Sequence, residues 1–292
     1  MVLKTFMSTH KQQFDEAVLT EIDQISCPTS LKQSMRYSLE VGGKRMRPLL
    51  LFAVLESTKT PISIGMKTAI ALEMIHTYSL IHDDLPAMDD DELRRGMPTN
   101  HIKFGEATAI LAGDGLLTAA FELIASDEQL SGEQRVRLIT MLSRAAGPSG
   151  MIAGQVMDIE ATSQQVSLQQ LKEIHECKTG RLIEFAVLAG ALLARCSTEE
   201  TTWLQAYARH IGLAFQIKDD ILDVEGETEL IGKTVGSDVA NHKSTYVALT
   251  SLPRAKEMLQ LEIDQAVAAL SKTTLNPNLL TELASYIQNR QL

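Results

Sequence analysis

The short Val/Ile/Thr alternation that marks a β-strand is nearly missing from this chain, while Ala, Leu, Met, Glu and Gln recur along its length. A chain without strand periodicity has no sheet on which to bury its apolar residues. They must pack helix against helix, so the sequence predicts an all-α, single-domain helical bundle. Turn residues at Cys27-Pro28, Gly42-Gly43, Thr60-Pro61, Gly96 to Pro98, Asp127 to Gly132, Gly147 to Gly150, Ser197-Thr198 and Asn276 to Asn278 punctuate it. About ten helices are expected between them. No linker or low-complexity stretch divides the chain, so residues 1–292 are read as one domain.

Charge and cysteine usage narrow the function. With 27 basic and 37 acidic residues the net charge is −10, which argues against coating nucleic acid or an anionic membrane; an anionic ligand must be met locally. Cys27, Cys177 and Cys196 are too scattered for a disulfide framework or a CxxC zinc pair. The expectation is a cytoplasmic protein with no signal peptide and no window apolar enough to span a bilayer.

Against that background, "LIHDDLPAMDDDELRRG" (Leu80–Gly96) puts six carboxylates within ten positions. Like charges one helical turn apart cost about 0.2–0.5 kcal/mol per pair. A second acidic set lies in "FQIKDDILD". At about 100° per residue, Gln216, Asp219, Asp220 and Asp223 fall within roughly a 100° arc, and the apolar residues around them disfavour an ordinary solvated helix. In the first set the same arithmetic aligns His76, Ser79 and Asp83, but Pro86 should loosen the helix beyond Asp84. Periodicity leaves open whether Asp89 or Asp90 completes that set. Hard divalent cations take oxygen ligands, and Mg²⁺ commonly combines one or two carboxylates with phosphates and water. Two carboxylate sets facing one another across a bundle would hold several Mg²⁺ ions bridged by a diphosphate. Leu85 and Ala87 occupy positions where an EF-hand needs ligands, and no His/Cys set has zinc spacing.

Basic groups flank the acids. "EVGGKRMRPLL" sets Lys44, Arg45 and Arg47 between a glycine pair and a proline, without P-loop spacing. Arg94 and Arg95 directly follow the first acidic set, where they either pair with its carboxylates or grip a diphosphate. "CKTGRL" carries Lys178 and Thr179 before Gly180, a costly helix residue that points to a local distortion. The irregular stretch Glu225–Tyr246 is long enough to serve as a lid or to be a surface insertion.

Taken together, "GGKRMRP", "DDLPAMDDDELRRG", "GMIAGQVMD", "KTG", "FQIKDDILD" and "GKTVGSD" through "KSTY" resemble, in order and over almost the whole chain, the trans-isoprenyl diphosphate synthases, in particular their bacterial farnesyl diphosphate branch. The resemblance implies an all-α bundle around a central cavity, usually a homodimer. It implies that Asp83, Asp84 and Asp89, with Asp219, Asp220 and Asp223, bind three Mg²⁺ (Mn²⁺ being a substitute) that clamp an allylic diphosphate. Arg94, Lys178 and Lys233 match contacts to that diphosphate. Lys44, Arg47, His76 and Arg95 match those to isopentenyl diphosphate, and Thr179 and Gln216 match groups near the developing allylic cation. Lys178, Thr179, Gln216 and Arg94 are thus the expected catalytic residues.

The implied reaction is ionisation of dimethylallyl or geranyl diphosphate, condensation with isopentenyl diphosphate, and elimination, giving farnesyl diphosphate. Tyr78, five positions before Asp83 with Ser79 beside it, is where such enzymes carry an aromatic floor for the growing chain. Its ideal angular spacing, about 140° from Asp83, does not by itself aim it there. Glu92 replaces a frequent fourth aspartate. A geranylgeranyl or geranyl diphosphate synthase, or a non-catalytic synthase subunit, are the alternatives. A terpene cyclase of similar fold would usually show an Asn/Ser/Glu second motif and no "GGKRMRP" element.

Overall fold

The computed structural model describes residues 2–162, 164, 166–225 and 244–290. Among them the expected all-α architecture holds. The α-helices, numbered along the chain, are α1 (Val2–Gln24), α2 (Thr29–Glu40), α3 (Met46–Ser57), α4 (Met66–Asp83), α5 (Asn100–Phe104), α6 (Glu106–Ala125), α7 (Gly132–Ala146), α8 (Met151–Ala161), α9 (Leu168–His175), α10 (Arg181–Leu193), α11 (Thr198–Glu225), α12 (Tyr246–Leu249), α13 (Leu252–Leu270) and α14 (Asn278–Asn289). The expectation of about ten undercounted the short ones: α5 and α12 span 5 and 4 residues, too few to show a period. The chain clusters into two compact units, Met1–Phe52 with Pro61–Ile139, and Ala53–Thr60 with Thr140–Leu292.

In the first unit α4 has no continuous polar face and is buried from Thr68 to Ile75, with Glu73 the one charged residue in that stretch. It packs along α6 at close range. A Cβ on Gly113 of α6 would stand 2.6 Å from Cδ2 of His82 on α4, so the glycine makes room for the His82 imidazole between the two helices. The expectation that no stretch is apolar enough to cross a bilayer is corrected by α6, whose 20 residues reach a mean hydropathy of 1.5 over the relevant window. Asp114 and Glu122 interrupt the run without lowering its average below that of a spanning helix. Its buried face, Ala109, Ala112, Leu116 and Ala120, belongs to a helix packed on α4 and α2.

Among the described residues of the first unit, the strands form one hairpin of two residues each, β1 (Leu93–Arg94) and β2 (Met97–Pro98), paired Leu93 to Pro98 and Arg94 to Met97. Its connecting residues, Arg95 and Gly96, both have positive φ, 55° and 76°. That is the signature of a tight two-residue hairpin turn, in which glycine is favoured because it has no Cβ to clash. Strands this short carry no alternation to read.

In the second unit the 28-residue α11 is flanked by α10 and α13. Tyr207 of α11 is fully buried and donates its hydroxyl to the Leu280 carbonyl of α14 at 2.9 Å. Ser167 and Gln170 form a reciprocal capping box that starts α9. After the eight residues of α9 the helix widens into a π-turn, Glu176–Gly180, before continuing as α10. This is the distortion that the mid-helix glycine foretold.

Candidate active site

The first acidic set sits where α4 ends. Asp83 is the last helical residue, and Pro86, as expected, ends the regular ladder. The chain then folds back: the Asp89 N–H donates to the Asp83 carbonyl at 2.9 Å, while the Asp90 N–H goes to Leu85. The fold-back therefore brings the backbone of Asp89, rather than Asp90, beside Asp83. Asp84 is buried, and Arg94 of β1 grips it, Nε lying 2.8 Å from both carboxylate oxygens and Nη2 also reaching Oδ1. The hairpin makes this possible by turning the chain back within ten residues. Its second strand is anchored to α2 by the Tyr37 hydroxyl, which donates to the Pro98 carbonyl at 2.7 Å. Burial works against the charge on Arg94, but Asp84 outweighs it and holds the guanidinium above its ordinary value.

The neighbouring cations divide by role. Arg45 is buried and fully engaged: Nε meets Asp15 at 2.8 Å, Nη1 meets Glu73 at 2.7 Å and Nη2 donates to the Leu39 carbonyl at 2.6 Å. It is a structural cross-link between α1, α2 and α4. Lys44 and Arg47, either side of it, are half-buried. Arg95 lies against Gly43, where a Cβ would come within 2.7 Å of the Arg95 Cζ. The glycine pair thus serves close approach as well as turning. His76 has its imidazole pushed well below its ordinary value, first by burial and then by Arg47, Arg95, Arg94 and Arg45. It is therefore neutral at physiological pH, inside a field made by four guanidinium groups. A site of that kind suits a polyanion.

Tyr78 is buried, its hydroxyl has no hydrogen-bond partner among the described residues, and burial, with Asp83 adding, raises its pKa to about 12. Its ring meets His82 edge-on with centroids 5.7 Å apart. Ser79 turns its hydroxyl back to the His76 carbonyl at 2.8 Å.

The second acidic set lies on α11, and periodicity placed it correctly on one helix. Asp219 is paired with Arg290, whose Nη2 lies 2.6 Å from Oδ1 and 2.9 Å from the Phe215 carbonyl, while the guanidinium stacks over the Phe215 ring at 4.1 Å. Asp220 is buried and accepts the Tyr246 backbone N–H at 2.8 Å and the Gln216 amide at 3.2 Å. Gln216 in turn accepts the Thr179 hydroxyl at 3.2 Å, and Lys178 reaches Asp158 of α8 at 2.7 Å. Lys178, Thr179, Gln216 and Asp220 therefore form one polar neighbourhood within this unit. Lys233 and most of the Glu225–Tyr246 stretch lie outside the described residues.

Three participants were missed in the sequence. Asp158 stood inside a quoted motif without a role, Tyr246 contributes only its backbone, and Arg290 is separated from Asp219 by 71 positions. Among the described residues no three His, Cys, Asp or Glu side chains converge into a preformed metal cage. The donor set offered by both acidic groups is carboxylate oxygen alone. That fits Mg²⁺, which fills most of its octahedron with water and phosphate oxygens, and it excludes a closed thiolate or imidazole zinc site.

Comparison with known proteins agrees with these features. The polyprenyl synthetase family model matches residues 28–279. The chain is 50% identical over 290 residues to a farnesyl diphosphate synthase of Bacillus subtilis (strain 168), covering 99% of this chain and 98% of that one. It is 48% identical, again over 99% and 98%, to the farnesyl diphosphate synthase of Geobacillus stearothermophilus. Among solved structures, an FPP/GFPP synthase from Zymomonas mobilis superposes with a TM-score of 0.86 at 37% identity, covering 98% of both chains.

Proposed function

The chain belongs to the polyprenyl synthetase family, and we propose on that premise that it is a Mg²⁺-dependent prenyltransferase making farnesyl diphosphate. It condenses isopentenyl diphosphate with dimethylallyl or geranyl diphosphate. The observation that carries this reading is that two carboxylate sets, each within its own unit, are already held by guanidinium groups, Asp84 by Arg94 and Asp219 by Arg290. The family match over residues 28–279 supports treating the chain as one polyprenyl synthase domain.

In the proposed assignment Asp83, Asp84 and Asp89, with Asp219, Asp220 and Asp223, ligate three Mg²⁺. When bound, the metal neutralises charge growing on the departing diphosphate. Arg94, Lys178 and Lys233 hold the allylic diphosphate and stabilise the same charge by electrostatics already in place. Lys44, Arg47 and Arg95, with neutral His76, bind the diphosphate of isopentenyl diphosphate and so orient its double bond for attack. The Thr179 hydroxyl oxygen and the Gln216 carbonyl oxygen face the allylic cation as fixed dipoles. Condensation ends with loss of a proton, by family analogy to the released pyrophosphate. Tyr78, an apolar-set phenol beside Asp83, floors the chain pocket and limits the product to C15, with Ser79 next to it.

A homodimer is the proposed assembly. On α6, Ile110 and Leu111 are 42% and 58% exposed on a helix whose other face is buried, and a second copy would cover them. Incubating the purified protein with isopentenyl and geranyl diphosphates and Mg²⁺, then chromatographing the dephosphorylated products, should yield farnesol. Absence of any prenyl alcohol overturns the activity, while predominantly C20 or longer products overturn the C15 assignment. Tyr78→Ala should shift the distribution to longer chains.

A further inference from the structure

The π-turn Glu176–Gly180 is gripped from two sides by glycines to which nothing above assigns a role. On one side Gly154 of α8 lies directly against the turn: a Cβ there would stand 2.5 Å from the Lys178 Cα and 2.7 Å from the Cys177 carbonyl carbon, and closer still to the Lys178 nitrogen. On the other side a Cβ on Gly212 of α11 would come within 3.0 Å of the Gly180 Cα. In both cases the obstructing atoms are backbone, so no side chain can swing away to make room.

Each glycine is followed, one helical turn on, by the residue that holds one of the turn's two functional side chains. Gly154 and Asp158 are i and i+4 on α8, and Asp158 takes the Lys178 ammonium at 2.7 Å. Gly212 and Gln216 are i and i+4 on α11, and Gln216 takes the Thr179 hydroxyl at 3.2 Å. Residues so spaced share a helix face, one above the other. Backbone contact at the glycine therefore sets how deeply the turn seats between the helices, and the polar residue above fixes where the side chain points. The π-turn supplies the remaining element. Lys178 and Thr179 are adjacent in sequence, and the widened turn presents them to two different helices at once.

We propose that Gly154 and Gly212 are positioning residues for Lys178 and Thr179, seating the π-turn backbone-to-backbone so that Asp158 and Gln216 can aim the two side chains at the allylic diphosphate. This rests on the assignment of Lys178 and Thr179 to that substrate. The glycines touch no substrate and act wholly through the turn.

Steady-state kinetics in both substrates test it. Gly212→Ala forces a shift of a few tenths of an ångström and should raise the KM for geranyl diphosphate about tenfold, with the KM for isopentenyl diphosphate within about twofold of the parent. Gly154→Ala, with the harder clash, should cost about a hundredfold. With the other diphosphate site saturated by isopentenyl diphosphate, calorimetry in EDTA with inorganic pyrophosphate should show weakening of the same order, a readout independent of turnover. Gly132→Ala, at a position with no heavy atom within 4 Å of the added Cβ, serves as the control. Acting through Lys178, Gly154→Ala should add less than about a further twofold once Lys178→Ala is present.

A Gly212→Ala protein with unaltered thermal stability and an unaltered KM for geranyl diphosphate overturns the proposal, as does a parallel rise in both KM values. If Gly154→Ala does not fold, the milder Gly212→Ala decides. Should Lys178→Ala itself leave the KM for geranyl diphosphate unchanged, the substrate assignment fails instead, a result distinct from failure of the glycines alone.

Discussion

The two aspartate sets carry the same side chains and are built in opposite ways. The first occupies the C-terminal end of α4 and a fold-back that runs through positive-φ residues, Asp90 at 52° and Arg95 at 55°. Its counter-ion, Arg94, comes from ten residues further on, delivered by a tight hairpin. The second lies on the regular face of a 28-residue helix, and its counter-ion, Arg290, comes from beyond the end of α14. One set is assembled by local turn geometry, the other by helix register plus a distant tertiary contact. They should therefore fail for different reasons.

The largest effect expected is one in which the two behave alike. Asp84→Ala and Asp219→Ala each remove a carboxylate assigned to metal and should each lower kcat by at least about 10³-fold. Retention of near-parental turnover by either, in a Mg²⁺ titration, would break the symmetry of the assignment. Differences emerge one level down. Gly96→Val places a β-branched side chain at φ 76° in the hairpin turn, straining the backbone by about 1–3 kcal/mol. It should displace Arg94 and Arg95 and lower kcat/KM about 10- to 100-fold without altering the thermal stability of the second unit's helices, as followed by hydrogen exchange. The second set contains no positive-φ residue to strain among its described neighbours.

Arg290→Ala acts in the other direction. Its guanidinium is 1% exposed and pairs with a partly exposed carboxylate, so its loss should cost about 2 kcal/mol. That would appear as a fall in Tm of roughly 4–8 °C for a unit of this size, while the hairpin set keeps its geometry. An unchanged Tm would show that the tail contact contributes nothing.

The smallest effect concerns His76. Its folded-state pKa is lowered, by burial first and then by the surrounding arginines. Below the ordinary imidazole value, about 6.5, the unfolded chain binds a proton that the folded chain refuses. Stability should therefore fall as pH drops from about 6.5 towards the depressed folded value, and be unaffected above it. Denaturant midpoints between pH 7 and pH 5 should fall less steeply in His76→Gln.

These contrasts parallel what could be read from the residues alone. Helical class, the single face shared by Asp219, Asp220 and Asp223, the end of α4 before Pro86 and the distortion at Gly180 all follow from rules that span four or five residues, and all were legible. The high mean hydropathy of α6 escaped notice because scattered Asp and Glu break an apolar run without lowering its average. The hairpin at Arg94 to Met97 was hidden because two-residue strands have no period. Arg45, grouped in sequence with Lys44 and Arg47, gave no sign that it turns inward to Asp15 and Glu73, since that depends on α1 and α4 arriving at the same place.

What the sequence determined by itself is therefore the composition of the site: which helices exist, which carry acids on one side, and a set of motifs whose order marks the family. Tertiary structure alone decided the pairings, Asp84 with Arg94, Asp219 with Arg290, Lys178 with Asp158, and the π-turn with two glycines. The physical reason is range. Helical periodicity and turn chemistry are enforced by bonded neighbours and one-turn contacts, whereas an ion pair or a backbone approach between distant residues exists only once independent helices have packed.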